Sequence, residues 1–139
     1  MYTAIEIARY IINKCTVEGH PISNLQLQKI LYYIQKDFLQ VGKMAFYDEI
    51  EAWQFGPVVR EVYNQYCGFG ASKIRLFYDV NIDYNYKCMI DPIVCEKRDL
   101  DPWVMVDDTH TKDKAWYIIY NNGKGNHRVI PKKLIKEKG

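Results

Sequence analysis

The chain has 139 residues, 48% of them apolar and 26% charged, with a formal net charge of +2. That balance describes a globular chain of one domain, residues 1–139, and excludes a disordered tract. The small net charge gives no electrostatic ground for a nucleic-acid partner, and no apolar run approaches the ~20 residues that cross a bilayer. The N-terminus has no basic stretch followed by an apolar core, so no signal peptide is expected. Cys15, Cys67, Cys88 and Cys95 are scattered without a C-x-x-C pair, as expected of small core residues in a reduced, cytoplasmic protein. The 12 tyrosines supply amphipathic area suited to a core edge or an interface.

Thr3 and Glu6 form a capping-box pattern that opens a first helix. Ala4, Ala8, Ile11, Ile12 and Cys15 then share a face, and Gly19 suits the residue past its end. Ser23 and Gln26 form a second capping box, with Ile22 and Leu27 placed as a hydrophobic staple. Leu27, Ile30, Leu31, Ile34, Phe38 and Val41 give this second helix an apolar stripe. Lys29, Lys36 and Gln40 fall opposite, and Gln28, Tyr32, Gln35 and Leu39 form a mixed flank. Glu49–Phe55 is short and rich in β-forming residues, so a strand is expected there. Pro57 fits the first position of a following helix whose packing face is Val58, Val59, Val62, Tyr63 and Tyr66, stopped by Gly68-Phe69-Gly70.

Ile74–Tyr86 alternates apolar with polar residues and predicts a strand, bent near Asp79–Asp83 and paired with Glu49–Phe55. Asp91-Pro92 and Asp101-Pro102 both resemble helix starts. Thr111 is a candidate cap for a helix carrying Ala115, Trp116, Ile118 and Ile119, which Asn121-Asn122-Gly123 would end. Pro131 would open a short basic helix. The expected architecture is α+β, mainly α: a compact helical domain with a small antiparallel sheet.

Few residues invite chemistry. Asp107, Asp108 and His110 form a conceivable metal cluster, but their place at a helix end equally suits backbone capping. No Ser or Cys has a local base, so no catalytic residue, no metal and no cofactor are assigned. Asn122-Gly123-Lys124-Gly125 is not a phosphate loop, since it follows a helix and lacks the G-K-[ST] ending. Lys132, Lys133, Lys136 and Lys138 make a basic tail that suits a solvated helix face. Gln28, Tyr32, Gln35 and Trp53 stand out. Buried glutamines need partners, so these residues form either an internal polar network or a protein-binding surface.

The segments ISNLQLQKILYYIQ and EAWQFGPVVREVY, followed by a glycine turn, resemble the Panacea domain, a phage-associated SocA/GepA-like family. Ile22, Ser23, Leu25, Leu27, Gln28, Lys29, Leu31, Tyr32 and Tyr33 carry the first motif. Glu49, Ile50, Glu51, Ala52, Trp53, Gly56, Pro57, Val58, Val59, Val62 and Tyr63 carry the second. Thr109, His110 and Trp116 echo a later element. The chain departs from the family pattern at Ile74–Tyr86, which alternates like a strand where the family has helix.

The resemblance implies an antitoxin rather than an enzyme, borne on a mobile element. Its partner would be a toxin from a neighbouring gene, with a ClpXP-type protease as a further partner in one branch. The interface is expected at Gln28, Tyr32, Gln35, Trp53, Phe55 and Pro57, with Leu27, Lys29, Leu31, Ala52, Gly56, Val58 and Tyr63 as structural motif residues. The alternatives are a homo-oligomeric phage accessory protein, a small regulator touching nucleic acid through the basic tail, and, least favoured, a metal-dependent hydrolase.

Overall fold

The computed structural model describes residues 2–139. In chain order the elements are α1 (Ala4–Val17), α2 (Asn24–Gln40), β1 (Glu51–Trp53), β2 (Gly56–Val58), α3 (Arg60–Tyr66), α4 (Tyr84–Lys97), α5 (Pro102–Thr109), α6 (Ala115–Tyr120), β3 (Arg128–Val129) and α7 (Lys132–Lys138). The three strands form one antiparallel sheet in the order β2-β1-β3. The architecture is mainly helical α+β, as the sequence predicts.

Both capping boxes form. Thr3 accepts from the Glu6 N–H, Ser23 accepts from the Gln26 N–H, and each acidic or amide side chain returns the bond. Helix α1 buries Ala4, Ile7, Ala8, Ile11, Ile12 and Cys15. Helix α2 is the centre of the molecule, and α1, α3, α4, α5, α7 and β2 all pack against it. It is therefore buried nearly all round. Leu27, Ile30, Leu31, Ile34 and Phe38 are in the core as the stripe predicts, but Val41 is 58% exposed beyond the helix end. Lys29, expected on a solvated face, is fully buried.

Three buried glutamines on α2 tie neighbouring segments to it. Gln35 accepts from the Ala45 N–H (2.8 Å) and donates to the Phe46 carbonyl (3.0 Å). Gln28 accepts from the Val59 N–H (2.9 Å), and Gln26 donates to the carbonyls of Arg98 and Leu100. Each supplies partners that a loop or strand edge would otherwise lack. Gln35→Ala leaves the Ala45 and Phe46 backbone groups buried and unpaired. At about 1–3 kcal/mol for each unsatisfied group, chemical denaturation should register a loss of about 3 kcal/mol.

The structure corrects the sequence reading at several points. Pro57 does not open a helix. Glu51–Trp53 and Gly56–Val58 form a hairpin across Gln54 and Phe55, with Ala52 opposite Pro57, and α3 begins only at Arg60. Strand β2 is an edge strand, where a missing N–H is tolerated.

The predicted strand at Ile74–Tyr86 is absent. Ile74 makes a single bridge to Ile22, the residues up to Asp83 join no strand or helix, and Tyr84 and Tyr86 already belong to α4. The alternation is real, with Ile74 and Ile82 buried and Phe77 75% exposed. It arises because this segment lies across helices. Asn13 accepts from the Tyr78 N–H, and Tyr2 accepts from the Asp83 N–H, so side chains replace a neighbouring strand. The pairing expected between this segment and Glu49–Phe55 is taken by β2 and β3.

Pro92 lies inside α4, and Asp91 accepts a hydrogen bond from the Tyr10 hydroxyl at 2.6 Å instead of capping. Thr111 follows α5, and α6 is capped at Lys114. Asn121, in the left-handed region, ends α6 as expected, and Pro131 caps α7.

Candidate protein-binding site

A cleft of about 510 Å³ opens where the N-terminal half of α2 meets the hairpin turn and the start of α5. Trp53, Phe55, Tyr63 and Trp103 supply its aromatic walls, and Leu25, Gln28 and Lys29 come from α2. Phe55 and Trp103 are 48% and 50% exposed and meet edge to face, with ring centres 5.3 Å apart. Large aromatics left in solvent beside a concave surface mark an interaction site more strongly than scattered apolar residues do. A slightly larger groove of about 600 Å³ beside the end of α2 has no such exposed aromatic pair.

The wall is rigidly built. Trp53 donates to Glu51 (3.0 Å), stacks on His127 (4.3 Å between ring centres) and packs on Tyr63 (4.8 Å). Arg60 forms a two-pronged ion pair with Glu51, at 2.8 and 3.0 Å, and lies over the Trp53 ring. Partial burial raises the Glu51 pKa, but the bonds from Arg60 and Trp53 outweigh it and hold the carboxyl below its usual range. Behind the hairpin, Trp116 donates to the Trp53 carbonyl (2.8 Å) and is sandwiched between His110 and Tyr120.

Lys29 reaches under the hairpin. Among the described residues its ammonium has one hydrogen-bond acceptor, the Pro57 carbonyl at 3.5 Å, and no carboxylate pairs with it. Burial pushes its pKa down to about 7. Gly56 makes room for it. A side chain on Gly56 would place its first carbon 2.6 Å from Lys29 Nζ, and the backbone there has φ +116°. Gly56→Ala is therefore expected to cost about 2–3 kcal/mol, from strain at positive φ and displacement of the amine. A drop in urea midpoint with unchanged slope would register it; an unshifted midpoint would show that the turn relaxes freely.

The structure brings only part of the predicted site to the surface. Gln28, Tyr32, Gln35 and Pro57 are buried, and both glutamines have internal partners. Trp53 is half-buried and Phe55 is exposed. Of the structural motif residues, Leu27, Lys29, Leu31, Ala52, Gly56 and Val58 are buried, and Tyr63 lines the cleft. Trp103 and His127 also line the cleft, and no motif or spacing in the sequence marks them. Trp103 carries only a faint signal of position, an aromatic directly after the Asp101-Pro102 helix start, where a side chain projects from the first turn.

Asp107, Asp108 and His110 do not converge on an ion. Asp108 accepts from the Tyr33 hydroxyl and from Lys114 (2.9 Å), and His110 lies flat on Trp116, 3.6 Å between ring centres. Among the described residues no group of three or more His, Cys, Asp or Glu is placed to hold a metal. Burial, then the nearby Lys29 charge, lowers the His110 pKa. No helix of the described residues is long and apolar enough to cross a membrane.

This is a helical scaffold whose well-built surface feature is an aromatic cleft. The family model for antitoxin SocA-like, Panacea domain proteins matches residues 27–117, more than half of the chain, from within α2 to the first half of α6. The chain belongs to this family. It is 38% identical over 69 residues to a protein described as antitoxin SocA from Caulobacter vibrioides (strain NA1000 / CB15N), covering 49% of this chain and 37% of that one. The chain thus spans well under two thirds of that relative's length. No solved structure matches it. The helix that the family pattern leads one to expect between the glycine turn and Thr109 is present as α4.

Proposed function

We propose that this chain is an antitoxin that neutralises a protein toxin by binding it directly, and that the aromatic cleft is the contact surface. The observation that carries this reading is the pair Phe55 and Trp103, half-exposed and meeting at the mouth of a cleft, on a family member whose curated relative is named an antitoxin. Such a pair offers a large, stiff contact area that loses little side-chain entropy on binding. The interface assigned from sequence narrows accordingly to Trp53 and Phe55, joined by Trp103, Tyr63 and His127. Gln28, Tyr32, Gln35 and Pro57 support it from beneath.

Neutralisation would follow from occlusion of the toxin's working surface. Hand-over of the bound toxin to a ClpXP-type protease extends the same reading, and the toxin's lifetime in cells with and without this chain tests it. Co-expression with the product of the adjacent gene tests the main claim. Growth arrest by the neighbour alone, relieved by this chain, is the expected result; a harmless neighbour, or one that is not relieved, removes the antitoxin reading for this chain.

A further inference from the structure

The cleft has an electrostatic property that the aromatic walls do not explain. No Asp or Glu lines it, while Lys29 forms part of its floor and His127 part of its rim, among the amides Asn24, Gln28, Gln54 and Asn126. Among the described residues Lys29 is the one buried lysine, and its ammonium has a single acceptor there, at the outer limit of hydrogen-bond length. An ammonium has three donors, so most of its capacity is unused. Buried charges are ordinarily paired, because removing one from water without a partner is costly. On the other elements the amine neighbours Gly56 and Pro57 of β2, Thr109 of α5 and the imidazole of His110, none of them anionic.

We propose that the cleft receives a partner polypeptide segment carrying a carboxylate beside an aromatic side chain, with the carboxylate pairing to the Lys29 ammonium. The aromatic residue packs against the exposed faces of the Phe55–Trp103 pair. The carboxylate approaches from the cleft, which Lys29 lines together with the turn residues Gln54 and Phe55. This inference rests on the toxin-binding reading and adds to it the chemistry of the segment recognised. The same pairing converts an unfavourable feature of the free protein into a source of affinity and specificity, since a partner without the carboxylate leaves Lys29 unpaired.

The test uses two peptides, acetyl-Phe-Glu-Phe-amide and acetyl-Phe-Gln-Phe-amide, titrated into the full chain and followed by amide NMR shifts. At pH 6.5 the Glu peptide is expected to bind at least about tenfold tighter, with shifts centred on Trp53, Phe55 and Trp103. In Lys29→Met the two peptides should bind equally. In Phe55→Ala both should weaken together. A second readout needs no variant. At pH 8, above the ordinary histidine range, calorimetry in buffers of different ionisation enthalpy should show proton uptake with the Glu peptide and none with the Gln peptide.

Equal affinities in the wild-type chain, a preference that survives Lys29→Met, absent proton uptake or no shifts in the cleft would each overturn the proposal. Those failures are separable from failure of the antitoxin reading, because toxin rescue does not depend on the peptides. A toxin that binds through Phe55 and Trp103 while the peptides bind equally would remove the carboxylate anchor and leave the toxin surface in place.

Discussion

Replacing Phe55 and Trp103 together by alanine is expected to weaken toxin binding by a factor of about 100 or more while changing fold stability by only about 1 kcal/mol. The asymmetry follows from their position. Each side chain is about half exposed, so each has little apolar contact to lose in the free protein beyond their mutual edge-to-face pair. That pair accounts for about 0.5–1.5 kcal/mol of stability. In a complex both rings would be desolvated, and aromatic anchors at interface centres typically cost about 2 kcal/mol or more each on truncation. Calorimetric titration against the toxin gives the first quantity and urea unfolding the second. A double variant that binds as tightly as the parent would place the contact surface elsewhere. A double variant that fails to fold would show that the pair belongs to the core.

Lys29→Met is expected to stabilise the free protein, most at acidic to neutral pH and least at pH 9. The folded protein holds the Lys29 pKa at about 7, against 10.5 for an ordinary lysine, because burial disfavours the charged form. Below about 7 the amine is protonated in both the folded and unfolded chains, and the folded state carries the whole penalty. Between 7 and 10.5 the unfolded chain holds the proton and the native state does not, so stability rises with pH across that window. The full shift corresponds to at most about 5 kcal/mol at 1.36 kcal/mol per pH unit. Replacing buried charges with apolar groups of similar volume commonly gains about 1–4 kcal/mol.

Three kinds of group bound the usable range. Burial pushes the Cys15 thiol up to about 11, so stability falls from about pH 9, where the unfolded cysteine ionises; this applies equally to the parent and to Lys29→Met. His110, with its pKa lowered by burial and by Lys29, makes stability fall as the pH drops below about 6.5, the ordinary histidine value. Tyr10, Tyr32, Tyr33 and Tyr66, all raised first by burial, make stability fall above about pH 10, where the unfolded tyrosines ionise. Urea unfolding at pH 7 and pH 9 isolates the lysine. The parent should be more stable at pH 9 and Lys29→Met nearly flat. A variant that loses stability at both pH values would mean that the ammonium holds the β2 edge together more strongly than its burial opposes it.

The parts of the fold legible in the sequence are those set by short-range chemistry. Thr3 with Glu6, Ser23 with Gln26, Asp101 before Pro102 and Asn121 after α6 all act where the pattern places them. What escaped depends on neighbours distant in the chain. Lys29 sits opposite the apolar stripe of α2, but that side of the helix is covered by β2 and α5, so a position that reads as solvent-facing lies at 0% exposure. The hairpin at Gly56-Pro57 has three-residue strands, too short to show a period, and its proline mimics a helix start. Ile74–Ile82 shows the converse: chain crossing helices buries Ile74 and Ile82 and half-buries Leu76, Tyr78 and Val80, the alternation of a strand without any ladder.

The site divides the same way. Gln28 and Gln35 are identifiable from sequence as polar residues in need of partners, and their partners prove internal. Trp53 and Phe55 are visible as aromatics near a turn. Trp103 joins them only because α5 packs against β2, and His127 only because β3 closes the other side of β1.

Toxin binding through the aromatic cleft is tested most directly by calorimetric titration of the purified adjacent-gene product with this chain and with its Phe55→Ala, Trp103→Ala double variant. A saturable complex with the parent chain is expected, with a loss of about 100-fold or more in affinity for the folded variant. No complex with the parent, or equal affinity for both chains, would contradict binding through the cleft.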